Sequence, residues 1–286
     1  MESKEIEIVR FYNQEAYFNY VEKSIQERLV FEKFLAKKNI NNKKFEFLGF
    51  CQVCAEATSF IIDWQYSGGN VPNYRERLVC EKCNLNNRQR FLLNLINHFI
   101  KKMNEKVTIY LYEQITDFYL VFSKYFNKNK IIGSEYLGFD ILPGTMINNI
   151  RHEDATQLSF DNESLDIIIS QDVYEHVPDY IKSFEETFRV LKINGKLVFS
   201  IPFYSKEFNT KQRAKLSDNK IEYLLPEQYH GNPVSEKGSL VFWDFSWDIL
   251  DLLKKIGFKE SYILGYYSSF YGYLGNGLQL IFVAEK

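Results

Sequence analysis

The chain has 286 residues, enough for one large domain or for a medium domain with a smaller one. Hydrophobic residues make up 45% and charged residues 25%, and the net charge of -2 gives no strong basic field for nucleic acid or membrane surfaces. The sequence has no run of about 18 apolar residues and an acidic, polar start, so we expect a cytoplasmic protein without a membrane span or signal peptide.

The first predicted elements are helical. Residues 14–38 place apolar side chains at helical spacing among Glu and Lys, which predicts one or two amphipathic helices. A polar break follows at residues 39–44. We therefore expect an N-terminal helical segment over residues 1–46.

The four cysteines of the chain form two Cys-x2-Cys pairs, Cys51 with Cys54 and Cys80 with Cys83. In a reducing compartment this pattern favours a metal over disulfides. Four thiolates complete the tetrahedron of Zn²⁺ and leave no position for water, so we predict a structural zinc ion. Four unrelated buried thiols would not explain the paired spacing. With an amphipathic helix predicted over residues 88–103, this zinc module spans residues 47–104.

Strands and helices alternate in the third predicted part, residues 105–286. Strands are predicted at 107–112, 131–135, 150–153, 165–170, 196–201, 259–264 and 279–284, and helices at 116–126, 179–192 and 244–255. This alternation predicts a mostly parallel sheet with helices on both faces. Ligands of such sheets bind beyond the carboxyl ends of the strands.

Polar side chains stand at the ends of the first four of these strands: Glu113, Glu135, Asp154 and Gln171. An acid after the second strand suits hydrogen bonds to ribose hydroxyls. An acid after the third strand can accept from an adenine amine. Together they indicate an adenosine ligand. The alternative is that Glu135 and Asp154 are solvated loop acids or helix caps.

Two segments carry a family resemblance. LDIIISQDVYEHVPD at residues 165–179 and FEETFRVLKINGKLVFSIP at residues 184–202 resemble the fourth strand, next helix and fifth strand of class I S-adenosylmethionine-dependent methyltransferases. The resemblance implies a Rossmann-like, seven-stranded, mostly parallel α/β sheet whose last strand is antiparallel. The region around residues 80–88 is similar to four-cysteine modules that precede some of these enzymes.

The same resemblance implies S-adenosyl-L-methionine as the cofactor. It implies that Glu135 holds the ribose, that Asp154 with Ala155 holds the adenine, and that Gln171 lies beside the methionine part. Tyr136, next to Glu135, joins this predicted cofactor-binding set.

The first cofactor motif departs from the family pattern. The family usually has an acid followed by Gly-x-Gly, whereas this chain has Glu113-Gln114-Ile115-Thr116. We expect Glu113 to keep the acid position, with Gln114 and Thr116 meeting the amino-acid end of the cofactor. Thr116 is also a plausible N-cap. The missing glycines leave weak or absent cofactor binding as an alternative.

Two histidines are candidates for a catalytic base. His176 follows the fourth strand of the sheet, and His230 lies in an irregular segment after the fifth. A methyl acceptor with an oxygen nucleophile needs a base with a pKa near neutral, which histidine supplies. The alternatives are a helix-start packing role for His176 and a loop-fixing hydrogen bond for His230.

These observations favour a methyltransferase that acts on a small-molecule or glycan acceptor, in keeping with the near-neutral charge and the aromatic clusters at 242–247 and 266–273. The alternative for these aromatic clusters is packing in the core and in a hairpin. An alternative is an RNA methyltransferase whose zinc module binds RNA, since residues 75–106 are locally basic. A third hypothesis is a non-catalytic binding protein on this fold. The oligomeric state is not predicted by the sequence.

Overall fold

A computed structural model of the chain describes residues 5–103, 106–217, 220–232 and 235–286. The predicted boundary at residues 104 and 105, and the first four residues of the predicted helical segment, lie outside this range. The strands are β1 Glu7–Phe11, β2 Lys44–Cys51, β3 Glu56–Asp63, β4 Leu78–Cys80, β5 Thr108–Leu111, β6 Lys130–Gly133, β7 Met146–Ile147, β8 Ile150–Arg151, β9 Leu165–Gln171, β10 Leu191–Ser200, β11 Lys211–Gln212, β12 Ala214–Ser217, β13 Lys220–Tyr223, β14 Tyr229–Asn232, β15 Ser235–Leu240, β16 Trp243–Asp244, β17 Glu260–Tyr267 and β18 Gln279–Glu285. The helices are α1 Gln14–Ser24, α2 Gln26–Lys38, α3 Tyr74–Arg77, α4 Asn87–Met103, α5 Asp117–Tyr125, α6 Tyr180–Val190 and α7 Asp248–Ile256, with a 3-10 turn at Tyr174–His176.

A seven-stranded sheet is the main feature, with the order β1-β17-β18-β10-β9-β5-β6. Strands β10, β9, β5 and β6 pair in parallel, and β18 is antiparallel to β10. The central strands are apolar along their whole length because both faces are covered: the relative exposure of Ile109, Ile167 and Ile168 is 0%. The predicted α/β fold with a seven-stranded, mostly parallel sheet is therefore confirmed.

Two strands differ from the sequence-based expectation. β1 was not predicted, and it takes one edge position of the seven-stranded sheet. Residues 150–153, predicted as a strand, contain only the two-residue β8, which pairs with β7 in a small hairpin. One parallel bridge links His152 to Glu135 beside the sheet. The polar run Arg151-His152-Glu153 lacks the continuous apolar character of a strand buried on both faces.

The chain divides into two compact units. The first, which we call the cysteine unit, comprises residues 1–11, 15–105 and 264–280. It contains the three-stranded sheet β2-β3-β4, where β3 pairs antiparallel with both neighbours. Its core combines aromatic and aliphatic side chains with two of the cysteines: Phe45, Cys51, Phe60, Ile62, Tyr74, Leu78, Cys80 and Leu274.

The second, which we call the sheet unit, comprises residues 12–14, 106–263 and 281–286. Between β10 and α7, where the sequence predicts an irregular segment, it has three small antiparallel pairs: β11 with β16, β12 with β13, and β14 with β15. The predicted three-part division of the chain stays a prediction. Across the described residues, no helix has the length and apolarity needed to cross a bilayer.

Candidate functional site

The carboxyl ends of β5 and β9 are joined by a side-chain hydrogen bond. Gln171, the last residue of β9, donates from Nε2 to Oε1 of Glu113 at 2.5 Å. The other oxygen of Glu113 accepts from the Thr116 hydroxyl at 2.5 Å. Parallel pairing of β5 with β9 and with β6 puts these residues and Glu135 at one edge of the sheet. Three predicted strand-end residues are thus brought together.

Glu135 holds the turn that follows β5. Its Oε1 accepts from the backbone N–H of Gln114 at 2.7 Å and of Ile115 at 3.0 Å. Within the part of the chain that the structure describes, Oε2 of Glu135 has no hydrogen-bond partner, so it can still accept from a ligand hydroxyl. This carboxylate both orders the turn and presents an acceptor at the site.

The turn works without glycine because none of its residues needs a glycine conformation. Residues 113–116 all lie in the described range, and none has positive φ. Thr116 has extended backbone (φ −88°, ψ 153°) and caps α5, accepting from Tyr119 N at 3.1 Å. The end of β6 lies close to the backbone of this turn because residue 133 is a glycine. A Cβ added at Gly133 would lie 2.6 Å from the carbonyl oxygen of Glu113.

Gln114 fixes the neighbouring loop. Its Nε2 donates to Asn149 O and its Oε1 accepts from Arg151 N, both at 2.8 Å. The side chain therefore pairs with backbone as a strand residue would. In this arrangement Gln114 contributes its backbone, rather than its amide group, to the turn at the strand ends.

The predicted adenine-side residues lie on the loop that follows β8. Asp154 Oδ1 accepts from both the backbone N–H (2.8 Å) and the hydroxyl (2.7 Å) of Thr156. Ala155 is half-buried between them, and Tyr136 is exposed, with its ring centroid 5.5 Å from that of His152. Asp154 thus caps the turn at Thr156, and its predicted contact with adenine stays a prediction.

A second polar cluster contains both candidate histidines. Glu175 Oε1 lies 3.6 Å from His176 Nε2 and 3.5 Å from His230 Nδ1, and the two imidazole centroids are 5.1 Å apart. The 3-10 turn after β9 carries Glu175 and His176, and β14 carries His230. Sequence reasoning missed Glu175, although it directly precedes His176.

Burial sets the protonation of this cluster. Glu175 is fully buried, and both its oxygens lack a hydrogen bond within the described residues. Desolvation raises the pKa of its carboxyl above the ordinary range. The interaction with His230 opposes this shift, and the nearby Asp172 adds to it. Burial lowers the pKa of His176 to about 4, which makes it a neutral imidazole at physiological pH.

The four cysteines converge in the cysteine unit, with ligand sulfurs all within 4.8 Å of one another. Cys51 Sγ lies 3.8 Å from Cys83 Sγ, and Cys54 Sγ lies 3.9 Å from Cys80 Sγ. A tetrahedron of sulfurs about 2.3 Å from zinc has edges of about 3.8 Å. The residue after each pair, Ala55 and Asn84, has positive φ (57° and 58°), so the two turns share one shape.

A sequence family matches part of the sheet unit. Residues 122–199, about a quarter of the chain, match a sequence family described as a methyltransferase domain. The match runs from α5 through β10 and includes Glu135, Gln171, Glu175 and His176. Among curated proteins, none matches the chain.

Solved structures with similar folds include three bacterial or archaeal proteins. The PH0226 protein from Pyrococcus horikoshii is 18% identical, with a TM-score of 0.41, over 71% of this chain and 93% of its own. An S-adenosylmethionine-dependent methyltransferase from Mesorhizobium loti is 13% identical, with a TM-score of 0.37, over 66% and 96%. 1,6-Didemethyltoxoflavin-N1-methyltransferase from Burkholderia thailandensis is 13% identical, with a TM-score of 0.37, over 69% and 77%. Residues 122–199 are therefore similar to a methyltransferase domain, and they form part of a seven-stranded α/β sheet.

Proposed function

We propose that the protein is an S-adenosyl-L-methionine-dependent methyltransferase that acts on a small-molecule or glycan acceptor. The observation that carries this proposal is the group formed by Glu113, Glu135 and Gln171 at the carboxyl ends of β5, β6 and β9. Glu135 and Gln171 also fall inside the methyltransferase-domain match. Ligands of parallel α/β sheets bind at this edge.

The residues fit the cofactor as hydrogen-bonding partners of its two ends. Glu135 Oε2 would accept from ribose hydroxyls, and the acids and amides near Glu113 and Gln171 would hold the amino-acid end. The proposed cofactor-binding set is the one predicted from the sequence: Glu113, Gln114, Thr116, Glu135, Tyr136, Asp154, Ala155 and Gln171. When bound, the cofactor supplies a methyl group on a positively charged sulfur, open to in-line displacement.

The chain's own contribution to the reaction is positioning and acceptor activation. His176 and His230 are the candidate catalytic residues, because they are the two histidines beside the buried Glu175. Burial keeps His176 neutral, since its pKa is lowered to about 4, so it can receive a proton or coordinate a cation.

The RNA alternative loses support from the basic segment that suggested it. Arg77 pairs with Asp63, Arg88 with Glu76, and the buried Arg90 donates to backbone carbonyls. These arginines are used inside the cysteine unit and are poorly available for phosphates. A small-molecule or glycan acceptor is therefore favoured over RNA.

We further propose that the four-cysteine site holds a structural Zn²⁺ ion. The sulfur spacing supports this, as does the equal geometry of the two turns. Four thiolates fill the tetrahedron, so this ion would stabilise the cysteine unit and take no part in chemistry.

The three-part domain division and a cytoplasmic location are also part of the proposal.

Titration calorimetry of the full chain with S-adenosyl-L-methionine and with its demethylated product tests the function. We expect saturable binding of both ligands. No heat at high protein concentration would overturn the proposal and leave a non-catalytic protein. If the cofactor binds, a salt-dependent gel shift with RNA would instead support the RNA alternative, because phosphate contacts release counterions.

A further inference from the structure

In the cluster of Glu175, His176 and His230, two imidazole nitrogens face one carboxylate oxygen. We propose that these three side chains bind a divalent transition-metal cation, with zinc as the best-suited ion. One carboxylate and two imidazoles form a recurrent ligand set for such cations. All three ligand atoms lie within 4.8 Å of one another. The site is distinct from the four cysteines, which belong to the other compact unit.

The hydrogen bond at the far side of His176 fixes its tautomer. His176 Nδ1 lies 2.8 Å from the carbonyl oxygen of Leu240, which can only accept. Nδ1 must therefore carry the proton, and in the neutral imidazole Nε2 holds the lone pair. This Nε2 faces Glu175 Oε1. A metal-binding histidine commonly donates its second N–H to a backbone carbonyl in this way.

His230 is held in a similar orientation by Gln228. His230 Nε2 lies 3.1 Å from Nε2 of the Gln228 side-chain amide, and its Nδ1 faces Glu175 Oε1. Rotating the Gln228 amide by half a turn puts its carbonyl oxygen at the same position. The amide then accepts from Nε2–H, and the lone pair of Nδ1 is available to a cation.

Glu175 provides the independent observation. Its carboxylate is fully buried, and its two oxygens make no hydrogen bond with the described residues. Its separation from both histidines exceeds a normal hydrogen bond. A buried carboxylate without donors is costly unless a cation or a proton compensates it. Asp172 adds further negative charge nearby.

The spacing of the cluster suits a metal. Nitrogen and oxygen ligands about 2.0–2.2 Å from a tetrahedral zinc ion are about 3.3–3.6 Å apart. The two printed separations from Glu175 Oε1, 3.5 and 3.6 Å, agree with those edges. The side chains of His176 and His230 are 16% and 29% exposed, so the cation would keep one side open to solvent.

An open position gives the cation a role in acceptor activation, and this role rests on the proposed function. The cation would polarise an acceptor hydroxyl and lower its pKa, so that its proton leaves to solvent. The acceptor oxygen then bonds to the methyl carbon, the carbon–sulfur bond breaks, and its electron pair stays on sulfur. The histidines would act here as cation ligands instead of as proton acceptors.

Zinc content of the full chain tests the site. Protein is dialysed to equilibrium at one fixed free zinc concentration and its bound zinc is counted. We expect two zinc ions per chain in the wild type and one in His176→Ala, His230→Ala and Glu175→Gln. His98→Ala is the matched control and should keep two, because His98 is exposed on α4.

Cobalt spectra assign each ion. Sulfur-to-metal charge-transfer bands and intense ligand-field bands report the cysteine site, and weaker ligand-field bands at shorter wavelength report a nitrogen and oxygen site. Loss of only these weaker bands in His230→Ala, with the bands of the cysteine site unchanged, supports the proposal. An equal zinc content in the wild type and in the three cluster variants would overturn it and leave a shared proton at Glu175. None of these readouts depends on methyl transfer. Failed cofactor binding would therefore be a separate result.

Discussion

Gln171 donates from Nε2 to Oε1 of Glu113, and this hydrogen bond joins the side chains at the ends of β9 and β5. The same carboxylate accepts from Thr116, whose hydroxyl oxygen caps α5. Glu113 thus organises a turn that contains no glycine. The Glu113 carboxylate holds the turn in place through its hydrogen bonds to Thr116 and Gln171.

Replacing Glu113 with Gln should weaken cofactor binding. Loss of a charge-assisted hydrogen bond costs about 1.5–3 kcal/mol, or roughly 10- to 100-fold in affinity. Calorimetry with S-adenosyl-L-methionine measures this change. Asp117→Asn is the matched control, because it removes one exposed charge from the first turn of the same helix. Equal losses in both variants would contradict a specific role for Glu113.

Removal of zinc should destabilise the cysteine unit. A structural four-cysteine ion contributes folding free energy, so a chelator or Cys54→Ser should lower the melting temperature by about 10 °C or more. Differential scanning calorimetry with metal analysis measures both effects. Asn70→Ala, in an exposed turn of the same unit, should change neither. A melting temperature that stays the same when the chelator is added would count against the structural ion.

Glu32 should make stability depend on pH. Its carboxylate is 2% exposed and accepts from Gly275 N at 2.7 Å and Gly277 N at 3.3 Å. Arg28 and Tyr74 are the charged and titratable groups that face it. Desolvation raises the pKa of Glu32 from 4.5 to about 6, despite the opposing hydrogen bonds.

The folded state therefore holds the Glu32 proton more tightly than the unfolded state. The contribution of Glu32 to the free energy of unfolding is fully present below about pH 4.5 and is lost as the pH rises through about 6. The change is about 2 kcal/mol. Urea unfolding at several pH values measures the free energy of unfolding. In Glu32→Gln this free energy should vary less between about pH 4.5 and about 6 than in the wild type. Glu27→Gln, exposed on the same helix, should leave the profile unchanged. Parallel profiles for wild type and Glu32→Gln would refute the assignment.

Arg90 should be essential for the stability of the cysteine unit. It is fully buried, donates to Tyr271 O at 2.7 Å and Gly272 O at 2.9 Å, and stacks 3.9 Å from the Phe60 centroid. Lysine lacks the planar fork that serves both carbonyls. Arg90→Lys should therefore cost about 3 kcal/mol, since buried carbonyls lose charged donors.

Chemical denaturation followed by fluorescence measures the Arg90 effect. Lys102→Ala, an exposed change on the same helix, is the control and should stay within about 0.5 kcal/mol of wild type. A loss below about 1 kcal/mol in Arg90→Lys would mean that the carbonyls find other partners.

Local patterns in the sequence determined much of this protein. Burial of one helix face or of both faces of a sheet leaves a periodic pattern in the sequence, which predicts α4, β5, β9 and a mostly parallel sheet. The number of seven strands was implied by the family resemblance. The paired cysteines are also a local signal, because each turn contributes two ligands three positions apart. The strand-end positions of Glu113 and Gln171 follow from the same periodicity, since every parallel strand ends at one edge.

Only the tertiary structure decided which distant groups meet. Glu175 gains His230 because β14 returns to the 3-10 turn, and Glu32 meets Gly275 and Gly277 from the other end of the chain. Strand β1 joins the sheet beside β17, at the edge opposite to β6, and its pairing likewise depends on where the chain runs in space. Hydrophobic periodicity reports how deeply a residue is buried, whereas the path of the chain determines which partner is buried beside it.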